Sequence, residues 1–290
     1  EMDEQAAMHD LFYPPDPNSL TISSIGGNVA TNAGGPKAVK YGLTGHYLLG
    51  LTFVGARGEV VTTGAHTIKS VAGTNLSGLL LGSEGTFGLI TNVTMRLIAR
   101  PQAVQTALLT FNSTAEAVAS VGALFQTGLM PRCAELLDEI SCDTIAQHQS
   151  HALPEGCRAA IILETDGSAE QSLDEMLTLT QAARPLDTLV AQTPAHRERI
   201  WAPRRDLSIA LADRRNLKVS EDIAVPRGRL SEAVDTIRKA ATKTPFEVAT
   251  YGHAGDGNLH VNILFDREEQ RHEVEALQDT VFRIAIELDG

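Results

Sequence analysis

The spacing of apolar and polar residues predicts two parts of the chain that meet near Pro101. Before that proline, runs rich in β-branched and aromatic residues predict strands, separated by turns such as Arg57-Gly58-Glu59. These predicted strands are residues 47–56, 60–63 and 86–98. Proline lacks an amide donor and restricts the residue before it, so Arg100-Pro101 interrupts the pattern. We therefore expect a sheet-rich domain over residues 1–100 and a second domain over residues 101–290.

Helical and extended patterns alternate beyond Pro101. Apolar residues recur at helical spacing at Leu173, Met176 and Leu177, which is typical of a helix with one buried face. The predicted helices are residues 114–125, with Thr114 as its N-cap, 168–183, 195–212, 230–241 and 268–288. The extended runs are residues 105–111, 159–164, 186–192, 217–225, 246–252 and 259–265. Repeats of this kind predict an α+β layer.

Composition and charge exclude several classes of function. The 290 residues are 43% hydrophobic, enough for large cores, and the net charge of -12 disfavours non-specific binding to nucleic acid phosphates. No apolar run approaches the roughly 18 residues of a membrane span, and no basic segment followed by an apolar one opens the chain. We expect a protein of the cytoplasm that does not span a membrane, with peripheral attachment to the inner membrane through partners left open.

The three cysteines lack the short paired spacing of zinc or iron–sulfur ligands. Cys133, Cys142 and Cys157 are also odd in number. We interpret them as reduced structural thiols.

Two glycine-rich segments carry the strongest binding signal. Residues 25–35 combine glycine pairs with small and amide side chains, and residues 82–88 carry three further glycines, a composition that lets a ligand lie against the backbone. They lack the lysine of a P-loop and the Gly-x-Gly-x-x-Gly of a Rossmann fold. Two such loops in one domain indicate a long cofactor.

A second motif, residues 253–262, places two imidazoles around a Gly-Asp-Gly-Asn turn. His260 and Asn262 share a strand face, and His253 ends the preceding strand, so two nitrogens can reach one divalent ion. Taken alone, the motif also fits a plain hairpin with two incidental histidines.

Positive charge for an anionic ligand is available nearby. Arg204 and Ser208 are four residues apart on one predicted helix, and Lys218 follows at the start of a strand. Such arginines are more often solvated than functional, so the cluster is a hypothesis that depends on its context.

These segments, together with Phe12-Tyr13-Pro14-Pro15-Asp16-Pro17 and residues 35–42, closely resemble FAD-linked oxidases of the vanillyl-alcohol-oxidase type. The similarity is to the group of glycolate oxidase, D-lactate dehydrogenase and D-2-hydroxyglutarate dehydrogenase. It implies the C-terminal part of a PCMH-type FAD-binding domain at 1–100 and a truncated, ferredoxin-like α+β cap at 101–290. It also implies a fragment that lacks an upstream pyrophosphate loop and a downstream Glu-His segment beyond Gly290.

The resemblance assigns roles to individual residues. Arg204, Ser208 and Lys218 are implied to bind the substrate carboxylate, and His253 and His260 to bind a divalent metal such as zinc. His253, His260 and Asn262 form the implied catalytic set. The implied FAD contacts are Pro15, Asp16, Gly26, Gly27, Asn28, Thr31, Asn32, Gly34, Gly35, Glu84, Gly85 and Ile90.

The function implied by the resemblance is oxidation of a D-2-hydroxy acid to the 2-oxo acid by hydride transfer to FAD. D-lactate, glycolate and D-2-hydroxyglutarate are the candidate substrates, and a quinone, a cytochrome or an electron-transferring flavoprotein is the candidate acceptor. A homo-oligomer is compatible with this reading. The alternative is a non-catalytic flavin-domain subunit, or a remnant, that acts as a scaffold in a multi-subunit oxidase.

Overall fold

The computed structural model describes residues 2–148 and 153–290. It divides into two compact units, Glu1–Pro101 and Gln102–Gly290. The division falls at the proline that interrupts the apolar pattern. Within the described residues, no helix is long and apolar enough to cross a bilayer.

Unit 1 is built from short helices and strands. They are α1 (Met2–Ala7), β1 (Leu11–Phe12), α2 (Ile25–Thr31), α3 (Ala38–Tyr41), β2 (Leu48–Val54), β3 (Val60–Gly64), α4 (Leu76–Leu80), β4 (Leu89–Met95) and β5 (Ile98–Ala99). Strands β3, β2 and β4 form an antiparallel sheet in that order, and β1 pairs with β5. Val29, Leu51 and Leu80 form a small buried core in unit 1, against the three-stranded sheet.

The predicted strand at 86–98 is wrong at its start, because the backbone turns there. Thr86 N–H donates to Ser83 C=O and Gly88 N–H to Gly85 C=O, so strand pairing begins only at Leu89. The predicted glycine loop at 25–35 also differs, since α2 occupies its first part. The hydroxyl of Ser24 accepts from Gly27 N–H, which caps and so favours this helix despite its two glycines.

Unit 2 alternates longer strands and helices. They are β6 (Ala103–Phe111), α5 (Thr114–Gln126), β7 (Cys133–Leu137), α6 (Glu139–His148), β8 (Ala159–Gly167), α7 (Ala169–Ala183), β9 (Asp187–Val190), α8 (Pro194–Arg214), β10 (Leu217–Ala224), α9 (Leu230–Ala241), β11 (Glu247–His253), β12 (Asn258–Phe265) and α10 (Arg271–Glu287).

The strands described in unit 2 form a seven-stranded sheet in the order β10-β12-β11-β7-β8-β6-β9, with every pairing antiparallel. Helices α5, α7, α9 and α10 contribute residues such as Leu124, Leu179 and Val274 to one buried cluster. Helices α6 and α8 contribute Ile145 and Leu207 to a second cluster. The predicted α+β class is thus confirmed, with an antiparallel sheet between two sets of helices.

Two local predictions in unit 2 are corrected. The N-cap of α5 is Ser113, whose hydroxyl accepts from Glu116 N–H, whereas Thr114 lies inside the helix and accepts from Glu139 N–H. Strand β7 and helix α6 were not predicted. The mixture of Glu135 and Asp138 with apolar residues matches neither a strand nor a helix period over that length.

Candidate active site

The strand register of unit 2 gathers polar side chains on the face that α8 covers. Asp222 pairs with His260, and His260 pairs with Tyr251 on the next strand. Side chains two positions apart along a strand share a face, so Ser220 and Asn262 lie beside them. The α8 site is defined here as the side chains that meet on this face: Glu135, Arg204, Ser208, Lys218, Ser220, Asp222, Tyr251, His253, His260 and Asn262.

Glu135 links the helix to the histidines. Its Oε2 accepts from Arg204 Nε at 2.9 Å and pairs with Arg204 Nη2 at 2.7 Å, and its Oε1 lies 2.5 Å from His253 Nδ1. Burial opposes its ionisation, yet His253 and Arg204 outweigh burial and lower the pKa of Glu135 to about 2. Burial alone would lower the pKa of His253, but the negative charge of Glu135 and its hydrogen bond raise this pKa overall. Glu135 is therefore a fixed buried anion.

Arg204 is buried rather than solvated, although it lies in a charged helix. Its side chain is 8% exposed, and its guanidinium carbon lies 4.8 Å from the centre of the Tyr251 ring. In the described part of the chain Nη1 has no hydrogen-bond partner, whereas Nε and Nη2 hold Glu135. A planar fork fixed in this way can offer Nη1 to a further anion.

Lys218 reaches α8 from the edge strand. Its Nζ donates to the Ser208 carbonyl at 2.8 Å and to the Ser208 hydroxyl at 2.7 Å. Burial lowers the pKa of Lys218. Burial raises the pKa of Tyr251, and the charge of Arg204, followed by the polar groups of Ser208 and Asn262, opposes that rise. Ser208 thus joins the lysine to the centre of the sheet.

The two histidines face each other across the strand pair. Their ring centres are 5.1 Å apart, and the Nδ1 of each ring contacts a carboxylate, Glu135 for His253 and Asp222 for His260. The hydrogen bond from His260 lowers the pKa of Asp222. Neither Nε2 has a hydrogen-bond partner among residues 2–148 and 153–290. Histidines that bind metals usually use one ring nitrogen while the other contacts a carboxylate, so this pair suits that role.

A complete set of metal ligands is not present in the described residues. Within these ranges no group of three or more histidine, cysteine, aspartate or glutamate side chains could hold an ion. The pair offers two ligands, and the carboxylates next to it are occupied by the Nδ1 atoms.

A second buried carboxylate holds the start of α8. Glu164 accepts from Arg197 Nε at 2.7 Å and from Trp201 Nε1 at 2.8 Å, and it is 1% exposed. Arg197, Trp201, Arg204 and Ser208 follow one another at helical spacing. The polar face of α8 therefore points at the sheet, which fixes the position of Arg204.

The glycine-rich segments of unit 1 also come together. Gly82 N–H donates to Val29 C=O at 3.1 Å, and Glu84 N–H donates to Ala30 C=O at 2.8 Å. A Cβ added at Gly26 would have the Ile90 carbonyl oxygen as its nearest neighbour, at 3.6 Å, and one added at Gly85 would meet no atom within 4 Å. The backbone at Gly85 therefore faces open space, whereas Gly26 lies against the β4 strand.

Other residues predicted to contact the cofactor instead stabilise the backbone of the glycine-rich segment 25–35. Asp16 pairs with Lys37 at 3.2 Å, and a Cβ at Gly35, where φ is +142°, would lie 2.3 Å from the Asp16 carbonyl oxygen. Asn32 accepts from Gly45 N–H, and Thr31 donates to Gly27 C=O. Among the other residues predicted to contact FAD, Pro15 and Asn28 are buried, and Gly34 is half-buried.

The structure therefore brings together all six predicted substrate and catalytic residues of unit 2. Sequence reasoning missed Glu135, Tyr251 and Asp222. A carboxylate inside the apolar run Cys133–Leu137 was the available signal for Glu135.

The chain belongs to the family described as "FAD linked oxidases, C-terminal domain", whose profile matches residues 100–290. The profile of "FAD binding domain" matches residues 1–64. The resemblance drawn from the sequence is confirmed, and so is FAD as the cofactor of this class of protein.

Among curated proteins, the chain is 35% identical to "Glycolate oxidase subunit GlcD" of Bacillus subtilis, over 97% of this chain and 61% of that protein. It is 34% identical to "D-lactate dehydrogenase" of Anaerostipes hadrus, over 100% of this chain and 64% of that protein. The chain thus spans about three fifths of the length of these relatives.

Solved structures support the fold. An alkyldihydroxyacetonephosphate synthase matches 98% of this chain and 56% of its own, with a TM-score of 0.74 and 18% identity. p-Cresol methylhydroxylase matches 97% of this chain and 63% of its own, with a TM-score of 0.73 and 14% identity.

Proposed function

We propose that the protein is an FAD-dependent oxidoreductase that converts a D-2-hydroxy acid to the 2-oxo acid. One observation carries the proposal: two cationic side chains and two imidazoles converge on one face of the unit 2 sheet. A 2-hydroxy acid has a carboxylate beside a hydroxyl, and these groups match that arrangement. The names of the relatives, glycolate oxidase subunit and D-lactate dehydrogenase, agree with this substrate class.

The carboxylate of the substrate is bound by Arg204 and Lys218 in this proposal. Arg204 offers Nη1 while Glu135 keeps its plane fixed, and Lys218 adds a point charge held by Ser208. Tyr251 lies under the guanidinium and supports its orientation. Substrate orientation of this kind lowers the barrier because the reacting carbon is held in one position.

The hydroxyl of the substrate is placed at the histidine pair. His253 and His260 would hold a divalent ion such as zinc through their Nε2 atoms, with Asn262 beside them, and the ion would lower the pKa of the hydroxyl. Two ligands without a third bind such an ion weakly. When bound, FAD supplies the acceptor for the hydride. Glu135 and Asp222 orient the rings through Nδ1.

The cofactor residues of unit 1 remain part of the proposal. Backbone groups around Gly26, Gly27 and Gly85 would contact FAD, whereas Asp16 and Gly35 would shape the loop. A quinone, a cytochrome or an electron-transferring flavoprotein is proposed as the electron acceptor. A cytoplasmic location, peripheral attachment to the inner membrane and a homo-oligomer likewise remain proposals.

The test is an anaerobic titration of the full-length, FAD-loaded protein with D-lactate, glycolate and D-2-hydroxyglutarate. We expect one of these acids to bleach the oxidised flavin band. If the flavin is bound and none of the acids bleaches it, the substrate class is wrong. A protein that folds and binds no flavin would instead favour the scaffold alternative.

Two adjacent arginines provide a matched pair of variants. Arg204→Lys keeps the charge and loses the planar fork, and we expect bleaching at low substrate to slow about 10- to 100-fold, since a charge-assisted hydrogen bond contributes about 1.5–3 kcal/mol. Arg205 is exposed and contacts Glu198, so Arg205→Lys should leave the rate unchanged. Equal rates in the two variants would refute the role of Arg204.

A further inference from the structure

Two cysteines lie close together outside the α8 site, at one end of the β7–β8 ladder. Cys142 is buried in α6, and its thiol donates to the Leu137 carbonyl at 3.9 Å. Cys157 is partly exposed just before β8, and its thiol donates to the Ala159 carbonyl at 3.5 Å. Leu137 pairs with Ala160, so both thiols are held at the same end of one antiparallel ladder.

The two thiols also lie against one apolar cluster, of which Cys142 is a member and against which Cys157 packs, and they differ in reactivity. The interaction between the two thiols lowers the pKa of Cys157, and the same interaction together with burial raises the pKa of Cys142. The thiolate is the nucleophilic form of cysteine, so the more accessible Cys157 is the one prepared to react. Cys142 then lies beside any sulfenic acid formed on Cys157. Cys157 is thus placed to react first, and Cys142 to resolve the product.

We propose that Cys142 and Cys157 are a redox pair that forms an intrachain disulfide when hydrogen peroxide is the oxidant. The Cys157 thiolate attacks one peroxide oxygen, the O–O bond breaks, and a sulfenic acid and a hydroxide form; the hydroxide takes up a proton to give water. The Cys142 sulfur then attacks the sulfenic sulfur, the S–O bond breaks, and a second water leaves with the thiol proton. Two thiols lose two electrons and one peroxide gains them.

The disulfide would join α6 directly to the start of β8. Helix α6 also contacts α8, where Arg214 Nη1 lies 3.5 Å from Thr144 Oγ1. Both thiols belong to or pack against the apolar cluster that contains Ile145 and Leu207. The bond therefore forms inside existing packing and restrains the helix that lies beside α8.

The test uses the chain itself, reduced, treated with hydrogen peroxide and blocked with iodoacetamide after denaturation. A protease that cleaves after glutamate separates the three cysteines, because they fall on fragments 117–135, 140–155 and 156–164. We expect 140–155 linked to 156–164, with a mass about 2 Da below the sum of the two reduced fragments, since two hydrogens are lost. Dithiothreitol should release both fragments.

Matched variants separate the proposed pair from general oxidation. Cys133→Ser should still form the link, whereas Cys142→Ser and Cys157→Ser should abolish it. Fluorescence of Trp201, the single tryptophan, checks in each case that unit 2 is folded. A link that involves Cys133, a link between two chains, or a wild-type Cys157 oxidised to sulfinic acid without a link would each overturn the proposal.

Discussion

Asp138 joins two elements of unit 2 and is the most informative residue to replace outside the α8 site. One carboxylate oxygen accepts from Ser141 N–H at 2.8 Å and from the Ser141 hydroxyl at 2.6 Å, which caps α6. The other accepts from Thr250 N–H at 2.6 Å, where β7 has ended and its ladder with β11 stops. Asp138 is 7% exposed. We choose Asp138→Asn, which keeps the shape and removes the titration.

The pH dependence follows from the environment of this carboxyl. Burial raises the pKa of Asp138 from 3.8 to about 6, and the hydrogen bonds from Ser141 and Thr250 oppose that rise. Folding therefore favours the protonated form of Asp138. The contribution of this carboxyl to the free energy of unfolding is complete below pH 3.8 and is lost as the pH rises through about 6. Two pKa units at about 1.4 kcal/mol each give about 3 kcal/mol.

The assay is urea unfolding of the chain between pH 4 and pH 7, followed by the fluorescence of Trp201, which reports on unit 2. We expect the free energy of unfolding of the wild type, relative to Asp138→Asn, to fall by up to about 3 kcal/mol over this range. Asp143 is exposed on the same helix, so Asp143→Asn should keep the pH dependence of the wild type. A difference between wild type and Asp138→Asn that stays constant within about 0.5 kcal/mol would refute the reasoning.

Three further changes test the packing around the α8 site by the same unfolding assay. Gly257→Ala should cost about 2 kcal/mol or more, because φ is +91° and the new Cβ would lie 2.0 Å from the Val225 carbonyl oxygen, whereas Gly228→Ala, with open space, should cost nothing. Leu207→Ala should cost about 2–5 kcal/mol, since Leu207 is fully buried, while Ile209→Ala on the exposed face of α8 should change stability by less than about 0.5 kcal/mol. Glu164→Gln should cost about 3 kcal/mol or more and shift the emission of Trp201, because it removes the buried negative charge that pairs with Arg132 and Arg197 and that accepts from the indole N–H; an unchanged emission would contradict this.

Helices α7 and α9 could be predicted from sequence because each carries a regular apolar face, whereas α6 was missed. Residues 168–183 are an example, since α7 spans Ala169–Ala183 with Ser168 as its cap. The glycine-rich segment at 25–35 was harder, because glycine is compatible with many backbone conformations. Its helix depends on one serine cap, and on Asn32 in the left-handed region at its end.

Part of the candidate site could be predicted because its residues follow local rules. His260 and Asn262 alternate along one strand, and Arg204 and Ser208 share a helix face. The contacts between these two groups could not be predicted, since they depend on which strands become neighbours. β7 lies next to β11 although more than 100 residues separate Glu135 from His253, and no spacing rule encodes that pairing.

The buried charges explain why α8 can hold a binding group in place. An isolated buried carboxylate is costly, and each of these two carboxylates is stabilised from both sides: Glu135 by Arg204 and His253, and Glu164 by Arg197 and Arg132. Any shift of α8 would remove Arg204 and Arg197 from these anions. The same contacts that the fold needs therefore fix the guanidinium of Arg204 before a ligand arrives, and the binding of a 2-hydroxy acid would then require little further ordering of this helix.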